Sequence, residues 1–534
     1  MKKTLLIIIL NLQFFYSFSQ EKKNLVVGIV VDQMRYDYVY RFWENFNNNG
    51  FKTLVNEGYF FRNTHFSFMP TYTGPGHATI ATGTTPSNHG IIANNWFDRY
   101  SKENIYCAGD GEMHTICNCD YKFDIISRDG QMSPKHLLTS TIGDQIKLFD
   151  DNSKVFGISL KDRGAILSAG HSADACYWMN KEGEWISSSY YMSELPKWIV
   201  DFQTKNSAKS YLAKNWNYDN KFNYNLDSLS NFDGNGIIKS TPHGNSILAD
   251  LAIELMKQEE LGKNESTDFL ILSFSSTDYI GHKYGPHSPE IEDTYKKLDN
   301  DIAKIISYIE KYIGKENSLI FLTADHGVVS EPSVLASKKI PSGYFSTRNL
   351  KSDLAEHIRD RLNLPTKDIS DNELILNVSN DQIFLNRDFI MQNLGYEVIE
   401  KIRKISVDYL IDYHPAIKKT YHYKQLEESE YLDAPNSLIQ KGFNSKRSGD
   451  IIYTLEPGWI NFSWKKGGTT HGSCFSYDTH VPLLFWGGNI KKGHTDRRTN
   501  VKDIAPTIAQ ILKISHPNGS TAVSYTHLTL PTKA

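Results

Sequence analysis

The sequence predicts an α/β fold: a mostly parallel central sheet with helices on both faces and inserted cap regions. Three observations carry that prediction. Runs of nearly unbroken apolar residues at 25–31, 154–160, 269–274, 318–323 and 481–486 have the length and flanking turns of buried strands. Apolar side chains on both alternating faces are what parallel strands covered on both sides require. Helical apolar spacing fills the segments between, at 247–261, 290–313 and 501–512. With 534 residues, 40% of them hydrophobic, the chain can bury a core of that size.

In chain order, Lys2 and Lys3 precede an apolar run at 5–10, and Ser17-Phe18-Ser19 offers small residues for cleavage before Gln20. Residues 1–19 therefore read as a secretion leader, too short to span a bilayer, and no later segment reads as a membrane span. A leader of this kind suits a bacterial periplasmic or secreted protein. Residues 20–518 form the predicted catalytic domain. The strand at 25–31 ends on Asp32. Next comes Thr71-Tyr72-Thr73-Gly74-Pro75-Gly76-His77-Ala78-Thr79, read as a tight turn at Gly74–Gly76 opening a helix. Such a helix start would aim backbone N–H groups at an anion, and a metal-activated Thr hydroxyl there can attack phosphorus or sulfur. Taken alone, such a stretch is more often an ordinary Thr-rich loop with a helix cap.

Cys107, Cys117 and Cys119 cluster in one segment, where an oxidising compartment permits a disulfide from Cys107 to Cys117 or Cys119; Cys176 and Cys474 complete an odd count. The strand at 154–160 runs into Lys161-Asp162-Arg163. Residues 177–239, rich in Asn, Ser, Tyr and Trp, and residues 329–467, with a charged helix around 388–408, fit the α/β alternation poorly and read as cap insertions. Residues 524–534 read as a non-native tail. A net charge of −3 supplies no basic field for a polyanion, so nucleic acid is excluded as the main partner.

Ligands of open α/β sheets bind beyond the carboxyl ends of the strands. There the sequence places Asp32, then Asp278 and His282 after the strand at 269–274, and Asp325-His326 after the strand at 318–323. His471 lies in a tight loop before the last strand. An Asp after a strand is often only a helix cap, and a lone His is often structural. Six such groups at strand ends, of the types zinc takes in catalytic sites, suit two adjacent metals.

With these motifs the chain resembles the alkaline phosphatase superfamily, and within it the phosphate-irrepressible, single-chain alkaline phosphatases of the Bacteroidota, relatives of the nucleotide pyrophosphatase/phosphodiesterases. The likeness runs from about Asn24 to Asn518. The resemblance implies an alkaline-phosphatase-like core and two Zn²⁺ ions. Thr73 would be the nucleophile and itself a metal ligand. Asp32, Asp325 and His326 would hold the metal that activates it, and Asp278, His282 and His471 the second metal. Asn94 would donate to a phosphoryl oxygen, although Asn95 is adjacent. Lys161 and Arg163 would be the cationic pair of the monoesterase branch. The substrates implied are small-molecule phosphate monoesters, hydrolysed by a monomer through a phosphothreonine.

The physics of the residues agrees. A monoester dianion carries more charge than a diester, and Arg and Lys together on one turn favour it. A sulfatase on this fold would use a modifiable Cys or Ser where this chain has Thr73. A diesterase would not need Lys161 and Arg163. A non-catalytic binding protein would be expected to lack a ligand or the nucleophile, and none is missing.

Overall fold

The computed structural model describes residues 23–118, 128–365, 369–465, 467–525 and 528. The predicted leader, Cys119 and most of the 524–534 tail lie outside the described residues. Within that tail the Tyr525 ring lies 4.9 Å from Phe61, and its hydroxyl donates to Asp503.

An 11-stranded mixed sheet organises the chain. Its central strands are β1 (Leu25–Val31), β2 (Tyr59–His65), β3 (Val155–Ser159), β4 (Ala175–Met179), β5 (Asp268–Phe274), β6 (Ser318–Thr323) and β7 (His480–Trp486), in spatial order β2-β7-β6-β1-β5-β3-β4. The five strands from β6 to β4 are parallel. Each predicted apolar run is one of these strands, and β1, β3, β5 and β6 are buried at every position. Uniform burial explains why they carry no polar alternation.

One expectation fails in direction. The run at 481–486, read among parallel strands, lies antiparallel to both β6 and β2. Burial on both faces makes it as apolar as its neighbours, so composition could not reveal its direction. The reversal has a consequence for the site. It brings the loop before β7 to the edge where β1, β5 and β6 end. A second reversal makes β2 run with the parallel strands, so the segment after β2 arrives at that same edge. Sequence reading passed over β2 because Arg62 and Asn63 interrupt it at half-buried positions.

Helices cover both faces: α1 (Thr73–Thr82), α2 (Asp162–Ala169), α3 (Pro242–Gln258), α4 (Ser276–Tyr284), α5 (Pro289–Tyr312) and α6 (Ile504–Leu512). α1 packs against α2 and α6, and α3 against α5. α1 begins at Thr73, so Gly74-Pro75-Gly76 is its first turn and not a separate turn before it. Pro75 is tolerated there because first-turn N–H groups have no intrahelical partner. Gly76 is required by close approach: a Cβ there would lie 2.3 Å from the Asp325 carbonyl oxygen.

Behind α1, His89 is fully buried, accepting from Ile91 N–H at Nδ1 (3.2 Å) and facing Thr79 Oγ1 through Nε2 (3.1 Å). Burial lowers its pKa from 6.5 to about 3. The unfolded chain therefore takes up this proton first as pH falls. The stability from keeping the ring neutral is complete above about pH 6.5 and is lost as pH falls toward 3. Thermal unfolding of wild type against His89→Gln between pH 7 and 4 should show a steeper acid loss in wild type.

The 329–467 region builds a four-stranded antiparallel sheet from Ile375–Ser379, Gln382–Leu385, Ile451–Leu455 and Ile417–His422, in that spatial order. It packs helices on a core of its own that includes Leu354, Ile358, Ile402 and Leu410. The predicted helix at 388–408 is two helices, Arg387–Asn393 and Tyr396–Tyr413, broken at Gly395, whose φ of 103° ends the first. Among the cysteines, Cys107 is a free, buried thiol, which removes it as the partner expected for Cys117; Cys117 is disulfide-bonded, and Cys176 and Cys474 are free.

Candidate active site

All ten residues singled out by sequence lie along the one sheet edge described above. Asp32 follows β1 directly. Asp278 and His282 sit one helical turn apart on α4, which follows β5, and Asp325 and His326 follow β6. His471 comes from the loop before β7. Thr73 opens α1, Lys161 precedes α2, and Arg163 is in its first turn.

The three histidines share one arrangement. Each donates its Nδ1–H to a backbone carbonyl: His282 to Thr469 (2.7 Å), His326 to Gly327 (2.9 Å) and His471 to Thr71 (2.7 Å). That bond fixes the tautomer and turns a bare Nε2 toward the carboxylates, as metal-ligating histidines are held. His282 Nε2 is 3.1 Å and His471 Nε2 3.8 Å from Asp278 Oδ1. His326 Nε2 is 3.4 Å from Asp325 Oδ2 and 3.5 Å from Asp32 Oδ1. The His326 and His471 rings stack with centroids 3.4 Å apart. Burial lowers the pKa of His326 to about 3 and drives that of His471 well down, so both rings are neutral at pH 7, whereas Asp278 outweighs burial at His282 and holds its pKa above the ordinary value.

Asp32 Oδ1 and Asp325 Oδ2 are buried without a hydrogen-bond partner. Burial, then the neighbouring carboxylates, raises the pKa of both groups. Two donor sets, Asp278/His282/His471 and Asp32/Asp278/His326, each gather ligand atoms within 4.8 Å of one another. Orphaned carboxylate oxygens and aimed Nε2 atoms fit divalent cations, with Asp278 between the two sets.

Thr73 is 1% exposed, and its hydroxyl lies 3.4 Å from His326 Nε2. Asn94 Oδ1 accepts the Gly74 N–H (2.7 Å), which leaves its amide NH₂ free to donate beside Thr73. Asn95 is exposed and begins a strand, Asn95–Asp98, so the structure separates the two asparagines. Arg163 donates from Nη1 to the Tyr106 hydroxyl (3.1 Å), and its buried Nε has no partner. Lys161 faces the carboxylates. Its ammonium lies 2.6 Å from both Asp32 Oδ2 and Asp278 Oδ2, inside the carboxylate cluster. Burial opposes its charge, but Asp278 and Asp32 hold its pKa above the ordinary value.

Sequence reasoning missed three supporting residues. Gln33 donates from its backbone to Asp325 (3.1 Å) and from its side chain to Asp278 (2.6 Å), with a φ of 66° that a non-glycine residue adopts only under tertiary constraint. His77 bridges the Thr73 carbonyl and Ser273 Oγ at 2.9 Å each, 3.5 Å from Asp325 Oδ2. Its place one turn after Thr73 on α1 was the available signal. Trp464 stacks on His282 with centroids 4.8 Å apart, and nothing local in sequence pairs the two.

The family described as type I phosphodiesterase / nucleotide pyrophosphatase matches residues 26–474. The chain belongs to this family. Among relatives, a protein of Myroides odoratus named calcium-transporting ATPase is 40% identical over 95% of this chain and 96% of its own length. Alkaline phosphatase PafA of Elizabethkingia meningoseptica is 34% identical over 93% of each chain. The crystal structure of wild-type PafA superposes with a TM-score of 0.87 at 34% identity, covering 95% of this chain and 99% of that one. A murine ectonucleotide pyrophosphatase/phosphodiesterase 5 structure, at 15% identity and a TM-score of 0.52, shares the fold. No helix among the described residues of this family member is long and apolar enough to cross a membrane.

Proposed function

We propose that this chain is a phosphate-monoester hydrolase of the alkaline phosphatase type, working through a phosphothreonine on Thr73 with two zinc ions. The observation that carries the reading is the convergence of three bare Nε2 atoms and three buried carboxylates beside a buried Thr hydroxyl at a helix start. The names of the 34–35% identical relatives, alkaline phosphatases PafA and PhoV, support it. A further PafA structure carries substitutions of a Thr, an Asn, a Lys and an Arg. Its Thr-to-Asn and Lys-to-Arg spacings equal those of Thr73/Asn94 and Lys161/Arg163.

Asp32, Asp325 and His326 would hold one ion and Asp278, His282 and His471 the other. When bound, the ions supply Lewis acidity, lowering the pKa of a hydroxyl or water and neutralising charge on the departing oxygen. The chain's own residues do the rest. Thr73 Oγ attacks phosphorus, forming a Thr O–P bond as the ester P–O bond breaks and the alcohol departs. Water then attacks the same phosphorus, releasing phosphate and restoring Thr73. The Asn94 amide and the Arg163 fork donate to phosphoryl oxygens, and the N–H groups opening α1 add their dipole. Lys161 adds a positive charge that a dianion uses more fully than a monoanion. The Lys-led segment at 1–19 supports export to the periplasm or beyond, and the enzyme acts as a monomer.

The family description favours diesters as the second reading. One preparation assayed on p-nitrophenyl phosphate, bis-p-nitrophenyl phosphate and p-nitrophenyl sulfate separates them. Monoester kcat/KM should lead, and Lys161→Ala/Arg163→Ala should lower it by about 10²-fold or more while affecting the diester less. A higher kcat/KM on the diester overturns the monoesterase assignment.

A further inference from the structure

Beside the site lies a cavity of about 300 Å³ whose inner wall includes His471. Tyr72, Trp459, Trp464, Phe475 and Tyr477 also line it, and its charged members are Asp381 and Asp478. Among the described residues no Lys or Arg lines it; behind the wall, Lys418 lies 5.9 Å from the Phe475 ring and is paired with Glu456 at 2.7 Å. For an enzyme of anionic substrates this is an unusual neighbour, because a negative, aromatic-walled chamber repels a phosphoryl group and attracts a cation.

Both carboxylates are built in. Asp478 is 1% exposed; its Oδ2 accepts from Gly472 N, Ser473 N and Ser473 Oγ, whereas Oδ1 is buried without a partner. Arg35, the cation nearest in charge to Asp478, faces the adjoining cavity and is held by Asp37 at 2.7 Å. Asp381 sits at the tip of the cap hairpin between Ile375–Ser379 and Gln382–Leu385. Asn380 and Asp381 take φ of 52° and 57°, the left-handed pair of a tight two-residue hairpin turn. The tip is pinned to the core, since Asn380 Nδ2 donates to the Asn95 carbonyl at 2.6 Å, next to Asn94. The cap thus delivers a carboxylate to the site's rim on a rigid turn, and the Tyr453 hydroxyl bonds to it. Tyr72, directly before the nucleophile, packs edge-on against His471 at 5.7 Å and joins the cavity to the metal ligands.

We propose that this cavity is the leaving-group subsite and that it takes alcohols carrying a protonated amine or quaternary ammonium, so that zwitterionic phosphomonoesters are the preferred substrates. The aromatic faces accept the cation's alkyl groups while Asp381 and Asp478 balance its charge; burial raises the pKa of these carboxyls to about 6 and about 7, and an adjacent cation favours their ionised forms. The inference rests on the monoesterase reading and adds the chemical class of alcohol.

The test compares phosphocholine with 3,3-dimethylbutyl phosphate, its neutral carbon isostere, on zinc-loaded full-length enzyme. The kcat/KM ratio should favour phosphocholine about tenfold or more, as a desolvated cation–π contact with a charge partner implies. In Asp381→Asn the ratio should fall toward one. A wild-type ratio near one, or an unchanged ratio in Asp381→Asn, overturns the proposal. Wild type alone gives an independent reading: choline should inhibit p-nitrophenyl phosphate hydrolysis at about tenfold lower concentration than 3,3-dimethyl-1-butanol, and equal inhibition overturns the proposal. If none of the three esters is hydrolysed, the monoesterase reading falls and the subsite falls with it.

Discussion

Thr73→Ala abolishes turnover, with kcat reduced on the order of 10⁴-fold or more. The size of the effect follows from the site's construction. Thr73 is 1% exposed and opens α1, with Asn94 bonded to the next N–H at 2.7 Å, so no neighbouring hydroxyl can take its place. Thr71 is committed to the Ser473 carbonyl at 2.9 Å, and Thr79 faces His89 at the other end of the helix. Binding should survive, since Arg163 and the six Asp and His ligands are untouched. The variant should therefore bind phosphate and yet give no acid-stable phosphoenzyme after rapid quenching with labelled substrate. Retention of most of the activity would remove Thr73 as nucleophile.

Removing the metals has the second large effect. Asp32, Asp278 and Asp325 are gathered in a dry site with the Lys161 ammonium as the cation touching two of them. At Asp278 burial is outweighed by His282 and Lys161, which hold its pKa well below the ordinary carboxylate value, whereas burial, then mutual repulsion, raises that of Asp32 and Asp325. Bound divalent cations relieve this and stabilise the fold by mass action. Chelation should abolish hydrolysis and lower Tm on the order of 10 °C, and added zinc should restore both. Metal analysis should find two zinc ions per chain. Asp278→Asn, which alters a residue common to both donor sets, should lower metal content and reduce kcat about 10³-fold. Full activity after exhaustive chelation would overturn the two-metal reading.

The cationic pair illustrates how far local sequence reaches. That Lys161 and Arg163 lie at the end of a buried strand was legible from the apolar run before them. Their divergence was not: Arg163 turns to Tyr106, while Lys161 enters the carboxylate cluster. Lys161 is the extended residue just before α2 and Arg163 the second residue of the helix, so the two side chains leave in different directions, and which of them meets a carboxylate depends on β1 and β5, distant in sequence. Gln33 and Trp464 escaped notice for the same reason, because their partners are distant in sequence, as are Ser273 and Asp325 beside His77.

By itself the sequence determined five of the seven central strands (it passed over β2, and β4 overlaps the start of the 177–239 segment read as a cap), the opening of α1 at the Thr73 turn and the Asp and His residues waiting at strand ends. Those follow from short-range physics: apolar runs must be buried, Pro and Gly restrict where helices start, and Asp and His carry their chemistry wherever they stand. Only the tertiary structure decided that β7 runs antiparallel, which brings His471 to Asp278, and that the cap hairpin places Asp381 beside the site. Strand direction and hairpin docking are set by pairing between distant segments. A doubly buried strand is equally apolar in either direction, so the residues that build it leave no trace of the choice.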